Sequence, residues 1–320
     1  MTQAAPQNQK PQRNIYIRSI RRDPPDLKLL SKALIALAED MARRELTPVE
    51  SPRYDASLFR GTAPFYARYR PHIPTAVTGL IAKQAGLDWS GRMLDVGCGT
   101  GQFLVAMSDY FEKLVGLDPD AEMLKEARRA VAKEKLRNKV VLLRGQAPDL
   151  PSKYRPYRMI TFSRAFHWVD QPATARAALE LLEPDGSVAI LGDGSFWTGA
   201  VNWQRTVRQV VERWLGTERK AGNTTYVEPA SRFTDVLRAA GFADIREFRI
   251  NDDRSWTIES IIGYLYSTSF ARRELFGDDV ERFEEDLTRA LDKEFPDGRF
   301  EERARFDILL AKKPATAPRA

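Results

Sequence analysis

Residues 93–111 read MLDVGCGTGQFLVAMSDYF. An apolar run closes on Asp95, Gly97, Gly99 and Gly101 follow at every second position, and a helical apolar pattern takes over. A strand that turns this abruptly into a helix needs glycine. Without a Cβ the backbone can bend tightly, and a ligand can approach the amide groups that open the helix. The dinucleotide fingerprint G-x-G-x-x-G fails at its third glycine, where Gln102 stands. The pattern here is D-x-G-x-G-x-G.

Outward from this turn, strand and helix patterns alternate. RMLDVG, KLVGLDP, KVVLLRGQ, YRMITFSRAF and SVAILGD read as buried strands. QFLVAMSDY, the strongly amphipathic AEMLKEARRAVAKEK and QPATARAALELLEPDG read as helices, the last one stopped by Pro184 and Gly186. Such alternation makes parallel βαβ units, hence an α/β, doubly wound sheet with helices on both faces. Ligands of these sheets sit beyond the carboxyl ends of the strands, here residues 95–101, 118, 145–146, 163–168 and 193. Farther on, GAVNWQRTVRQVVERWLG and SRFTDVLRAAGF predict helices, DIREFRI a strand, and residues 256–295 a helical stretch broken at Gly277. RFEERARFDILLAKK is then a long final strand, inserted antiparallel.

The chain has 320 residues, 43% apolar and 29% charged, with a net charge of +6. That is a globular composition, long enough for a substantial core. One cysteine, Cys98, excludes an intramolecular disulfide. The opening MTQAAPQNQKPQRN lacks the apolar stretch of a secretory signal, and no apolar run nears the roughly 18–20 residues that span a bilayer, so a cytoplasmic chain is expected. Residues 1–25 read as a disordered basic tail. Leu27, Leu30, Leu34, Leu37 and Met41 line one face of an amphipathic helix within 26–55, which ends at TPVESPRYD. Its stripe can pack on the chain's own body or on a second subunit, a route to a homo-oligomer. Residues 56–320 form one domain, with its core over 90–250 and 298–313.

LDVGCGTGQF resembles the first motif of class I S-adenosylmethionine (SAM) dependent methyltransferases, and the segments after it follow that family in order. Asp118 and Pro119, in VGLDPDAEML, fall where the family's second strand ends; an ionised Asp can accept from both hydroxyls of a ribose. RGQAPDLP resembles the adenine-contacting segment, with Gln146 and Ala147 at its turn. FSRAFHWV, which holds Ser163, resembles the segment lining the methyl-transfer pocket. FYARYRPHIP resembles the lid helix, expected over about 61–85. The similarity covers about residues 60–250 and is nearest to type 11 and ubiquinone-biosynthesis-like members. It implies a Rossmann-like methyltransferase sheet, mostly parallel with the last strand antiparallel. A helical cap over about 254–297 and an N-terminal helical extension complete the expected fold. It also implies S-adenosyl-L-methionine as cofactor and S-adenosyl-L-homocysteine as its product. The cofactor-binding set would be Asp95, Gly97, Gly99, Gly101, Asp118, Pro119, Gln146, Ala147 and Ser163, with Arg70 for the cofactor carboxylate. Cys98 is a small buried side chain with no assigned chemistry.

Methyl transfer needs an acceptor held in line, and aromatic faces around the charge-dispersing methyl. His167, just past the fourth strand, is the candidate base, and Tyr66 and Tyr69 on the lid are its candidate companions. The other histidine, His72, reads as structural. Trp168, Phe196, Trp197, Tyr264 and Tyr266 are candidate substrate contacts. With Ile261, Ile262 and Leu265 as an apolar ceiling, they suggest O- or N-methylation of a small hydrophobic or aromatic molecule, in natural-product biosynthesis. Each aromatic could equally be core packing, and His167 could equally orient its loop. Carbon methylation of an electron-rich alkene or ring, an NAD(P) oxidoreductase, and a non-catalytic SAM-binding scaffold stay open as alternatives. The fourth strand is followed by SRAF rather than [DN]-P-P-[YFW], which argues against amino-methylation of DNA. Cys98 is committed to the glycine turn, which argues against cytosine carbon-5 chemistry. No metal-ligand cluster stands out, and the basic residues are spread rather than striped, so no metal, nucleic-acid or membrane partner is expected.

Overall fold

The computed structural model describes residues 55, 57–222, 224–227 and 231–315. The expected tail over 1–25 and the amphipathic helix within 26–55 lie outside them. The elements run α1 (Ala63–Tyr69), α2 (Thr75–Ala85), β1 (Arg92–Val96), α3 (Gln102–Ala106), β2 (Lys113–Asp118), α4 (Ala121–Lys133), β3 (Val140–Arg144) and β4 (Tyr157–Ser163). They continue with α5 (Gln171–Leu181), β5 (Leu182–Asp193), α6 (Asn202–Leu215), β6 (Lys220–Ala221), β7 (Thr224–Thr225), α7 (Phe233–Ala240), β8 (Ala243–Trp256), α8 (Ile258–Tyr266), α9 (Val280–Glu294) and β9 (Phe300–Lys312).

Period-two burial builds the sheet. Leu94, Val96, Val115, Ile160, Phe162, Val188 and Ile190 face one apolar layer, and Met93, Leu114, Met159, Ala189 and Leu191 face the other. Strands buried on both faces need helices on both faces. The seven strands order as β3-β2-β1-β4-β5-β9-β8. The first five are parallel, and β9 enters antiparallel between β5 and β8. The strand order reverses between β1 and β4, which opens a crevice at their carboxyl ends.

Two helical expectations change. The lid is two helices, α1 and α2, because Pro71 and Pro74 hold residues 70–74 extended: Arg70 has ψ 130° and Pro74 ψ 142°. The helix expected to run to Gly186 ends at Leu181, and residues 182–186 already belong to β5. The cap between β8 and β9 is present, with a break at Gly277, whose φ is 54°. It joins α6 in a third apolar cluster rich in aromatics, Phe196, Trp203, Trp256, Tyr264, Tyr266 and Phe283 among them. No helix of the described residues is long and apolar enough to cross a membrane.

Candidate active site

A cleft of about 800 Å³ opens at the carboxyl ends of β1 to β4. The turn after β1 shapes its floor. The amides of Gly97 and Cys98 both donate to the Leu117 carbonyl, at 2.8 and 3.1 Å, which ties the turn to β2. Gly97 has φ +70°, and a Cβ there would stand 2.6 Å from the Ala165 methyl, so the close crossing of the β1 and β4 loops requires glycine. Gly101 does not line the cleft; it lies against Ala127 of α4, where a Cβ would stand 3.2 Å from the Ala127 methyl.

Asp118 ends β2 and enters the cleft almost fully buried. One carboxylate oxygen accepts from the Gly99 amide at 2.8 Å and the other from the Asp120 amide at 2.9 Å. A carboxylate has about four lone-pair sites, so both oxygens keep capacity for a ligand's hydroxyls. Burial pushes its carboxyl up to about 6. Pro119, Gln146, Ala147, Ser163, Tyr66 and Trp168 also line the cleft, as the sequence led us to expect.

A narrow recess of about 20 Å³ adjoins it, lined by Asp95, Gly97, Thr100, Gln102 and Ser163 among others. Asp95 is fully buried, and its Oδ1 accepts from Thr161 at 2.7 Å. Its Oδ2, the Thr100 hydroxyl and the Gln102 Oε1 have no partner among the described residues. Burial pushes the Asp95 carboxyl up to about 7, and Asp118 adds to the effect. Unpartnered buried acceptors are costly, and three around one recess suit a ligand with several N–H donors, such as an ammonium.

A second chamber, of about 530 Å³, lies past the Tyr66 and Trp168 rings. It is lined by Arg70, Arg164, His167, Asp193, Ser195 and Arg219, among others. Arg164 has φ +56°, and its guanidinium grips Asp193 through Nε–Oδ1 at 2.5 Å and Nη2–Oδ2 at 3.0 Å. Arg254 of β8 adds a contact to the same carboxylate at 3.0 Å. These cations overcome burial and hold Asp193 at about 2. His167 is found where it was expected, but burial first, then Arg219 and Arg70, lower its imidazole to about 4. It is neutral and only weakly basic.

Several sequence expectations fall elsewhere. Arg70 lines the second chamber rather than the recess, and its carbonyl accepts from Gln102 Nε2 at 3.3 Å. Tyr69 turns away: its hydroxyl donates to Glu259 at 2.9 Å and its ring presses on Gly263, where any Cβ would overlap it. Phe196, Tyr264 and Tyr266 are core residues, 2%, 2% and 3% exposed. Phe196 stacks on Tyr264 with centroids 4.1 Å apart, and Tyr266 donates to Glu284 at 2.8 Å. Trp197 packs edge-on against Phe270 at 5.3 Å. Ile261 and Leu265 join this core rather than a ceiling over a ligand. His72 is exposed. Sequence reasoning missed Phe59, which lines both the cleft and the chamber, and also Ser195 and Arg219, and it gave Arg164, inside the 163–168 strand end, no role of its own.

Comparison with known proteins gives this geometry a family. The methyltransferase domain family profile matches residues 93–186. A Saccharomyces cerevisiae protein that goes by the name "Probable S-adenosylmethionine-dependent methyltransferase CRG1" is 29% identical over 127 residues, 39% of this chain and 43% of that protein. An uncharacterized methyltransferase of Mycobacterium tuberculosis is 28% identical over 163 residues, 50% of this chain and 62% of that one. The matches thus span less than two thirds of either relative. The crystal structure of YcgJ from Bacillus subtilis shares the fold, with TM-score 0.50 and 17% identity over 76% of this chain and all of that one. Residues 93–186 match a methyltransferase domain, and over this part the chain is similar to SAM-dependent methyltransferases.

Proposed function

We propose that the protein transfers the methyl group of SAM to a small organic acceptor seated in the second chamber. One observation carries this reading: Tyr66 and Arg164 line the cleft, the recess and the chamber alike, so the three cavities meet at one point. The bound cofactor supplies a methyl on a positively charged sulfur, a leaving group that needs no activation. Asp118 would hold the ribose hydroxyls with the lone pairs its two amide contacts leave available. Asp95, Thr100 and Gln102 would take the methionine ammonium, which satisfies their unpartnered atoms. Gln146 and Ala147 would border the adenine.

At the junction, the Tyr66 ring, Trp168 and Phe59 exclude water and offer aromatic faces to a dispersing positive charge. The Phe59 and Trp168 rings meet edge to face at 5.9 Å, which fixes both. His167 can accept a hydrogen bond from an acceptor, but a group held at about 4 is a poor base near neutral pH. The reading therefore favours oxygen acceptors that are already anionic or readily become so over unactivated hydroxyls. Incubating the full chain with methyl-labelled SAM and a small-molecule extract tests it. Label in a small product with stoichiometric S-adenosylhomocysteine is expected; no transfer while SAM binds would refute catalysis.

A further inference from the structure

Among the described residues, Arg70, Arg164 and Arg219 line the chamber together with the carboxylate of Asp193. Arg164 is committed to Asp193, which Arg254 also neutralises. Arg70 has no carboxylate within ion-pair distance among the described residues. Its Nε donates to the Ser267 hydroxyl at 2.9 Å, its Nη1 to the Tyr264 hydroxyl at 3.4 Å and its Nη2 to the Ser267 carbonyl at 3.4 Å. Its guanidinium carbon lies 4.9 Å from the Tyr66 ring centroid and 4.6 Å from that of Tyr264. The Arg219 guanidinium lies over Tyr226 at 4.1 Å and Phe270 at 5.5 Å. A guanidinium held in place this way keeps N–H groups for planar, two-point recognition of an oxyanion. The Ser195 hydroxyl, buried and without a partner among the described residues, also lines the chamber as a further donor.

Position narrows the chemistry. Arg70 lies over Tyr66, the ring shared by all three cavities, so the group it holds sits where the methyl must cross. We propose that the acceptor is a carboxylic acid, bound through its carboxylate by Arg70, and that the carboxylate oxygen itself receives the methyl to give a methyl ester. This rests on the methyl-transfer reading above. A lone pair on the carboxylate oxygen forms the new C–O bond as the S–CH3 bond breaks, its electron pair staying on sulfur. No proton moves, which suits a site whose histidine is a weak base. Carboxylate and sulfonium charges cancel, so a neutral ester and a neutral thioether result. The ester has lost the charge that Arg70 held, which favours its release.

The test uses the full chain, methyl-tritiated SAM, and a panel of aliphatic and aromatic mono-, di- and tricarboxylic acids with their matched carboxamides. Label is expected in at least one acid, released as volatile methanol by mild alkali, and in none of the amides. Arg70→Met should lower kcat/KM for that acid about 100-fold, and Arg70→Lys should recover part of the loss. Calorimetric affinity for S-adenosylhomocysteine should stay within about threefold in both variants, which shows that the fold and cofactor cleft survive. Four results overturn the proposal: alkali-stable label, amides accepting as well as acids, an unaltered kcat/KM in Arg70→Met, or no labelled acid while S-adenosylhomocysteine still binds. Failure of the parent to bind either SAM or S-adenosylhomocysteine would instead remove the methyl-transfer reading beneath it.

Discussion

The cleft and the second chamber hold their buried carboxylates in opposite states. In the cleft, burial raises Asp95 to about 7 and Asp118 to about 6, and no cation among the described residues stands against either. In the chamber, Arg164 and Arg254 draw Asp193 down to about 2. Among the described residues, the carboxylates of the first half lack a cation and that of the second is matched by arginines. A cation suits the first and an anion the second, which is the charge pairing that methyl transfer from a sulfonium to an oxyanion consumes.

The sharpest way to break the comparison is to fill the cleft's turn. Gly97→Val forces a Cβ toward Ala165 from a left-handed backbone. It should cost more than about 100-fold in SAM affinity and roughly 1–3 kcal/mol of stability, read by calorimetry and denaturant unfolding. Asp118→Ala should weaken SAM binding about 10- to 100-fold, since hydrogen bonds to a charged group are worth about 1.5–3 kcal/mol. An unchanged Kd would remove Asp118 from the cleft's function.

The pH dependence of the ligand-free protein separates the two halves. A carboxyl whose folded value lies above its unfolded one binds its proton earlier in the folded state. Asp95 and Asp118 therefore make stability rise as pH falls from about 7 toward 4, by an order of several kcal/mol. Asp193 has the reverse sign: its stabilisation is complete above about pH 4 and is lost only as pH falls toward 2. Thermal melts across this range should show both limbs, and Asp95→Asn should flatten the upper one. SAM's own stabilisation should weaken below about pH 6, as Asp118 protonates.

Smaller effects test the assignment of the cap to the core. Tyr266→Phe should cost about 1 kcal/mol of stability by leaving the part-buried Glu284 without its donor, with acceptor KM unchanged. Tyr69→Phe removes only an exposed hydrogen bond to Glu259 and should alter neither kcat nor stability by more than about twofold and 0.5 kcal/mol.

These contrasts also explain what could be read in advance. The sheet was legible because burial on both faces leaves apolar runs that alternate with helical periodicity. The cleft was legible because its residues fall at successive strand ends, in contiguous segments such as LDVGCGTG and LDPD. The chamber draws Arg70, Arg164, Ser195 and Arg219 from four separate segments; Arg70 and Arg164 fall in FYARYRPHIP and FSRAFHWV, where nothing marks their place in this chamber, and nothing local marks Ser195 or Arg219. Arg164 depends on a left-handed backbone that its sequence does not announce. Tyr264 and Tyr266 mislead for a different reason: an apolar helix beside a site reads the same whether it faces the ligand or, as here, a second core. The lid's break was legible in RPHIP, since residues before proline avoid the helical region.

The central claim is that the cleft takes a cation at Asp95 while Asp118 grips the sugar. Titration of SAM into the full chain at pH 6.5, in two buffers of different ionisation enthalpy, tests it most directly. The expected result is saturable heat with proton release, because a bound ammonium favours ionised Asp95, and loss of that release in Asp95→Asn. No heat with SAM or S-adenosylhomocysteine, or binding that ignores both carboxylates, would contradict it.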